Sequence, residues 1–358
     1  MPPPLSAVEA ISPAFHHTKR QLFQPFRFWI WARLAVVSLL TGEFAGESWG
    51  GSGNFNLPSN SGGGQKPDEL LSLANPNWDW VWEYLPWVVA GVVIVVAVGL
   101  ILLYIASVFR FILFDAVLSD RCGLRQGWRR WQQPGSSYFL WQIGFSLVMM
   151  TVLAVLVGGP VYLAWRAGLF RQPDEHFGLL FAGGAILFFL FLGLAILGAV
   201  ASLFAKDFVV PLMALENWGA LDAWRRLLPL LRAEKLAYAG YVLMKIVLAL
   251  GSAIIFGIID VILLLILLLV FGVIGVAVVL AGQAAGLGLN VFTIALTILV
   301  SVVALSFVFF VLAFVSTPAA VFFQAYTLRF FGSRYPMLGD LLNQAWPAPP
   351  ATSPAAIA

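Results

Sequence analysis

"VVAGVVIVVAVGLILLYIAS", Val88–Ser107, runs for twenty residues without a charge. About 20 apolar residues carry an α-helix across the ~30 Å hydrocarbon core of a bilayer. In that medium a backbone must satisfy its own hydrogen bonds, which a helix does. A second charge-free run covers Val291–Ala319. The 358-residue chain around them is 61% hydrophobic and only 10% charged, with mean hydropathy +0.92. Soluble domains carry about 25% charged residues. The sequence therefore predicts an all-α integral membrane fold and excludes a soluble globular one.

Working outward from Val88–Ser107, the hydropathy predicts six main spans. They cover roughly Phe26–Leu40, which is short, Tyr84–Val108, Tyr138–Leu163 with a kink at Gly158-Gly159-Pro160, Phe177–Leu203, a fifth starting near Ala237, and Val291–Val315. From Ala237 to Ala281 only Lys245 and Asp260 are charged, which is too long for one crossing at 1.5 Å per residue. Two crossings would fit, or one crossing plus a re-entrant or interfacial helix near 269–282. Charge favours the second. With the N-terminus inside, Lys66, Arg166 and Arg171 fall outside and Arg33 and Lys245 within spans, while the remaining 15 of the 20 Lys and Arg face the cytoplasm. That positive-inside asymmetry sets the orientation and makes the number of crossings even, with both termini cytoplasmic in a cell inner (plasma) membrane. It also explains the net charge of +3 and pI near 9.1 without nucleic acid.

Three parts follow: an N-terminal amphipathic segment (1–25), one transmembrane domain (26–335) and a Pro/Ala-rich tail (336–358). Met1–Gln21 lacks the order of a signal peptide. Ser6 and Glu9 have capping-box spacing, and Val8, Ile11 and Phe15 share a helical face. The Gly/Ser/Asn-rich loop 41–79 reads as poorly ordered by itself. It ends in "NPNWDWVWEYLPW", Asn75–Trp87, an aromatic belt at the outer headgroups or a platform for a partner or glycan.

A repeat runs through the chain. "GWRRW" (Gly127–Trp131) aligns with "AWRRL" (Ala223–Leu227), Gly123 with Gly219, and Asp120 with Glu216. A looser copy, "AFHHTKRQLFQPFRFWIW", spans Ala14–Trp31. Each unit reads as an amphipathic helix, a crossing, an outer loop and a return crossing, three times in one orientation. Leu124, Trp128 and Trp131 form a helical stripe, as do Trp218, Leu221, Trp224 and Leu228. Helices of this kind lie in the interface, apolar face down, with Pro134 and Pro229 permitting a bend. Trp128, Arg129, Arg130, Trp224, Arg225 and Arg226 are the candidate lipid or interface residues. The structural reading is orientation and anchoring; the functional one is binding of acidic phospholipid or a partner protein.

These "AWRR"-type segments, with the ending "STPAAVFFQAYTLRFFG" (Ser316–Gly332), resemble a family of uncharacterised bacterial polytopic membrane proteins. The layout is similar to the membrane domain of some glycerophosphodiester phosphodiesterases and to related six-span domains of unknown function. In the fused enzymes the catalytic part is a separate barrel, to which nothing here corresponds. The resemblance implies a membrane domain, not a reaction.

Chemistry-bearing residues are sparse. His16, His17 and His176 lie outside the spans, which disfavours haem but leaves pigments or quinones held by apolar contact. Asp174, Glu175 and His176 read as a solvated turn rather than a metal site. Cys122 is the lone cysteine and excludes an intrachain disulfide; it reads as a small buried or interfacial thiol. Nucleotide, P-loop and zinc-protease motifs are missing. No catalytic, cofactor or metal residue is assigned. Arg33, Lys245 and Asp260 are the intramembrane polar candidates. Lys245 and Asp260 read either as a snorkelling and a helix-end group, or as a polar site facing the bundle. Asp115 and Asp207 read as ordinary helix-end carboxylates. Ala195/Ala199 and Gly198/Ser202 have small-residue packing spacing, and Gly272–Gly288 suits close contact or a re-entrant turn. The expected function is a non-enzymatic accessory, scaffolding or lipid-organising membrane protein, partnered by membrane lipids and by a membrane protein or a second copy. The alternative is a transporter or flippase of a lipidic or apolar solute.

Overall fold

A computed structural model describes residues 4–42, 79–119, 123–169, 177–284, 286 and 290–346. Most of the 41–79 loop, Cys122, the Asp174-Glu175-His176 turn and the chain beyond Trp346 lie outside them. The described residues are helical and contain no strand. In order, the helices are α1 (Ile11–Phe23), α2 (Phe28–Thr41), α3 (Asp79–Ser119), α4 (Leu124–Leu153), α5 (Gly159–Arg166), α6 (Phe177–Phe204), α7 (Val210–Glu216), α8 (Ala220–Ala233), α9 (Lys235–Ala284), α10 (Val291–Gly332) and α11 (Pro336–Ala345). π-Helical turns at Ala154–Gly158 and Ala205–Val209 join α4 to α5 and α6 to α7 into continuous rods. The first ends at Gly158, where the expected kink at Gly158-Gly159-Pro160 begins.

Five rods are long and apolar enough to cross a membrane: α3, α4–α5, α6–α7, α9 and α10. This is a membrane protein. The sixth expected span is α2, whose 14 residues make about 21 Å of helix, short of a ~30 Å hydrocarbon core. The re-entrant helix expected near 269–282 is not there. α9 is one unbroken helix of 50 residues, about 75 Å long. It contains no proline, and Gly272 and Gly275 stand in open space, so nothing forces the break or close contact expected of this stretch. In apolar surroundings the uninterrupted helix keeps every backbone bond.

Burial is concentrated at one end. The C-terminal parts of α3, α7 and α10 and the N-terminal parts of α4 and α9 converge there with α1, α8 and α11. The long rods therefore alternate in direction from this common cap, and α1 and α11 meet in it. Gly135 lets α4 approach α3 closely: a Cβ there would lie 2.7 Å from Val108 Cγ2 and 3.0 Å from its Cα. Above the cap the spans follow the neighbour order α6, α4, α3, α2, α10, α9. Gly198 of α6 receives the Met149 methyl of α4 at 3.3 Å from its would-be Cβ, as small-residue spacing anticipates. α6 and α9, the two ends of that order, do not pack along their lengths.

Prolines leave marks on this framework. Pro318 inside α10 cannot donate to the carbonyl of Phe314, and the Trp31 indole N–H of α2 donates to that oxygen at 2.7 Å. At the N-terminus the expected capping box is formed: Ser6 N–H donates to Glu9 Oε2 at 2.8 Å and Glu9 N–H to Ser6 Oγ at 3.2 Å. The apolar face behind it points outward, with Val8 and Phe15 exposed, while Ala10, Ala14, His17 and Leu22 are buried.

α11 docks through Leu338, Leu342 and Trp346. The Trp346 ring stacks on His17 at 3.6 Å between centroids, and the Arg329 guanidinium lies 4.7 Å from its centroid. Burial, with the nearby positive charges of Arg20 and Arg329, pushes the His17 pKa from the usual 6.5 down to about 3, against a bond to Gln21. The folded state thus keeps His17 neutral, and unfolding takes up a proton between pH 6.5 and about 3. This contribution is fully present above pH 6.5 and is lost as pH falls towards about 3. The wild-type thermal midpoint in detergent is expected to fall more between about pH 7 and about pH 5 than that of His17→Phe, which keeps a ring on Trp346 but binds no proton. Equal falls would remove His17 from the pH response.

Candidate functional site

The charged groups that converge most closely do so inside the cap. Lys245 of α9 places Nζ 2.8 Å from Oδ1 and 2.7 Å from Oδ2 of Asp207, in the π-helical turn before α7. The side chains are 2% and 4% exposed. Tyr241, one turn below Lys245, donates its O–H to Asp207 Oδ2 at 2.9 Å, and its oxygen lies 2.7 Å from Thr327 Oγ1 of α10. Tyr241 stacks on Tyr326 with centroids 5.3 Å apart, and Tyr326 O–H donates to the Ala7 carbonyl at 3.0 Å. Phe208 packs between Tyr238, Tyr241, Phe330 and Phe331. One clasp thus ties α9, α10, the α6–α7 junction and the N-terminal segment.

Local sequence positions these groups. Pro211 lies four residues after Asp207, whose carbonyl would otherwise accept its missing N–H and clash with its ring. The chain widens there into a π-helical turn, a feature frequent at functional positions. On α9, Tyr238, Tyr241 and Lys245 share one helical face (i, i+3, i+7) and are its buried residues. Of the two readings of Lys245, a snorkelling group or a polar site facing the bundle, the geometry fits the second: its ammonium turns inward to a carboxylate. Asp207, expected to be an ordinary helix-end group, is its partner. The two stand 38 positions apart in the chain, and the fold brings them together.

The other sequence-predicted residues do not join this cluster. Asp260 sits farther along α9, half-buried, and accepts the Ser316 O–H of α10 at Oδ2, 3.2 Å away. Its Oδ1 is buried without a hydrogen-bond partner among the described residues. Arg33 is exposed on α2. Trp128 is half-buried against Tyr104 and Phe109, and Trp131 stacks on Phe111 at 5.8 Å. The first stripe therefore faces α3 rather than lipid, and its segment is the opening of α4 itself, which continues through Pro134. In the second copy the amphipathic helix is separate: α8 ends at Ala233 and α9 starts at Lys235. Trp224 is half-buried against Trp141, with ring centroids 5.7 Å apart. Leu221 and Leu228 remain exposed. Arg129, Arg130, Arg225 and Arg226 are exposed around the cap. Arg130 lies over Trp131, and Arg225 pairs with Asp222 at 3.2 Å. Both α4 and α8 start directly after the aligned glycines, Gly123 and Gly219. No cluster of three metal-ligating side chains occurs among the described residues.

A family model matches residues 5–341, almost the whole chain. The chain belongs to DUF7544, a family of unknown function. That agrees with the uncharacterised membrane-protein family the sequence resembles, and it establishes no link to the membrane domains of glycerophosphodiester phosphodiesterases. Neither the curated proteins nor the solved structures contain a match.

Removing one partner of a buried ion pair strands the other charge, at about 3–5 kcal/mol, whereas replacing both with apolar side chains is often neutral. Asp207→Leu and Lys245→Met are each expected to lower the thermal midpoint in detergent strongly, and the double variant to recover most of the loss. Additive losses in the double variant would show that the two side chains act independently.

Proposed function

We propose that this chain is a non-enzymatic multi-pass membrane protein that organises lipid around a rigid cytoplasmic cap, and that it does so as a scaffolding component of the membrane. The observation that carries this reading is the uneven burial. Within the most apolar window of each long rod, none of the residues is buried in four cases and 11% in the fifth, while the cap is closely packed. Helix faces left bare by the chain itself are surfaces for acyl chains or for the helices of another protein.

The orientation follows from charge. Lys19, Arg20, Arg125, Arg129, Arg130, Arg225, Arg226, Arg232 and Lys235 are exposed at the cap end, and Arg166 is at the other end of its rod. A cap so charged belongs on the cytoplasmic side of an inner membrane. α2 then makes a sixth, short crossing, and α1 and α11 keep both termini inside. Each cap arginine near anionic lipid contributes about 1 kcal/mol. Native mass spectrometry of the chain gently extracted from its membrane is expected to show it carrying acidic phospholipid. Arg129→Gln/Arg130→Gln with Arg225→Gln/Arg226→Gln is expected to reduce that load. A lipid-free chain with a stoichiometric protein partner would replace lipid organisation by the accessory-subunit reading.

A second reading, transport or flipping of a lipidic solute, is favoured by one observation: the half-satisfied Asp260 carboxylate facing Ser316 within the spans. Under that reading Asp260→Asn abolishes lipid scrambling by the chain in liposomes. Scrambling unchanged by Asp260→Asn, or none in the wild type, counts against it.

A further inference from the structure

Arg329, in the last turn of α10, is a cation that the cap holds but does not answer. It is half-buried, and its guanidinium lies 4.7 Å from the Trp346 ring centroid. A ring face attracts the charge but takes up none of the in-plane N–H donors. Nε is buried without a hydrogen-bond partner among the described residues, and so is the Trp346 indole N–H. No ion pair to Arg329 occurs among the described residues. Arg334, five residues on, shows the contrast: it holds Glu234 and donates to the Leu5 and Phe330 carbonyls.

Arg20 of α1 stands close enough for its positive charge to bear on both Arg329 and His17. His17, kept neutral, balances neither arginine. The described carboxylates of the surrounding elements are engaged or turned away. Glu9 closes the capping box with Ser6, and Asp115 of α3 faces Arg130 at 4.0 Å. α10 contains no acidic residue, and Asp340 of α11 is exposed between the buried Leu338 and Leu342. Buried polar groups are normally paired, and an idle one marks a place for a water or an ion. Idle N–H groups on a guanidinium beside a second cation call for an anion.

We propose that Arg329 and Arg20 form a binding site for a phosphate-class oxyanion where α1, α10 and α11 meet. The planar Arg329 fork suits two oxygens of one phosphate, and charge-assisted pairs of this kind are the strong ones. Trp346 keeps the guanidinium in place, and the exposed Arg20 supplies the second charge. A lipid headgroup and a soluble phosphate compound present the same chemistry to these residues. The site goes beyond the lipid-organising reading. It shares no residue with the collar of Arg129, Arg130, Arg225 and Arg226, and it needs no acyl chain.

The test uses the full chain in phosphatidylcholine nanodiscs. One arm adds inorganic phosphate, with chloride at equal ionic strength as the reference; the other places phosphatidic acid in the nanodisc instead. Binding raises the thermal midpoint in a saturable way, and the concentration dependence gives the affinity. A rise with inorganic phosphate supports a site that takes phosphate from solution, and a rise with phosphatidic acid alone supports a headgroup site. Arg329→Gln is expected to weaken binding by at least about tenfold, through the loss of charge-assisted hydrogen bonds. Arg20→Gln, at an exposed position, should weaken it by about fivefold, and it carries the test where Arg329→Gln fails to fold. Arg129→Gln/Arg130→Gln should leave the Arg329-dependent rise unchanged. No saturable rise with either probe, or the same rise in wild type, Arg329→Gln and Arg20→Gln, would overturn the site. Those outcomes leave lipid organisation by the collar standing, whereas a lipid-free chain in native mass spectrometry removes that reading and leaves this site.

Discussion

The Asp207–Lys245 pair is the constraint around which the cap is arranged. Two opposite charges at 2.7 Å with almost no exposure each give up several kcal/mol of hydration, and their attraction only offsets that when geometry and hydrogen bonds are good. Here the carboxylate receives the ammonium on both oxygens and a tyrosine O–H on one. Such a pair is a weak source of net stability but a strong determinant of register. Rotating α9 by one residue about its axis would swing Lys245 some 100° away and leave two unpaired charges in an apolar core. The rotation of a 50-residue helix is thereby fixed from one point near its foot.

Everything farther along the rods inherits that fixed rotation but little of the packing. Side-chain interdigitation is dense where α1, α8 and α11 surround the rod ends, and it thins out beyond them. α9 and α10 still meet at Asp260–Ser316 and again at Phe271–Phe307, whose centroids are 6.0 Å apart. Between α9 and α6 the ring pair Phe204–Tyr238, with centroids 6.2 Å apart, lies at the cap end and not along the shafts. A bundle with a stiff foot and spread shafts suits a solvent of hydrocarbon chains. Lipid is as apolar as the leucines it touches, so helices gain little by excluding it.

What was legible in the sequence depended on how local its cause is. Charge-free runs are read directly, because one helix must carry its own hydrogen bonds in lipid. The Ser6–Glu9 box and the helix starts after Gly123 and Gly219 are also local. The direction of the Arg-Trp stripes was not. A stripe of Leu124, Trp128 and Trp131 is equally suited to lipid and to α3, and the glycines at 127 and 135, which admit Ile112 and Val108, were the available sign that another helix lies against it. Lys245 showed only that a cation was embedded. Its partner lay on another rod, and the sign of it was Pro211 four residues after an aspartate inside an apolar run.

Prolines connect these observations. Each proline inside a span leaves a carbonyl four residues back without its N–H donor, and in lipid that oxygen must be satisfied or displaced. Pro160 and Pro211 each stand two residues beyond a π-helical turn, with Leu156 and Asp207 in the corresponding place. The same backbone device therefore gives a plain widening in one rod and aims a carboxylate in the other. Pro318 is answered differently, by the Trp31 indole on the Phe314 carbonyl. That bond fastens α2, a helix too short to be held by span length, to the middle of α10. Trp31 itself is 8% exposed and stacks on Phe314 with centroids 5.5 Å apart, and a bond made by so buried a donor is costly to break. The position of the shortest helix among the spans is thus set by a defect in one of the longest.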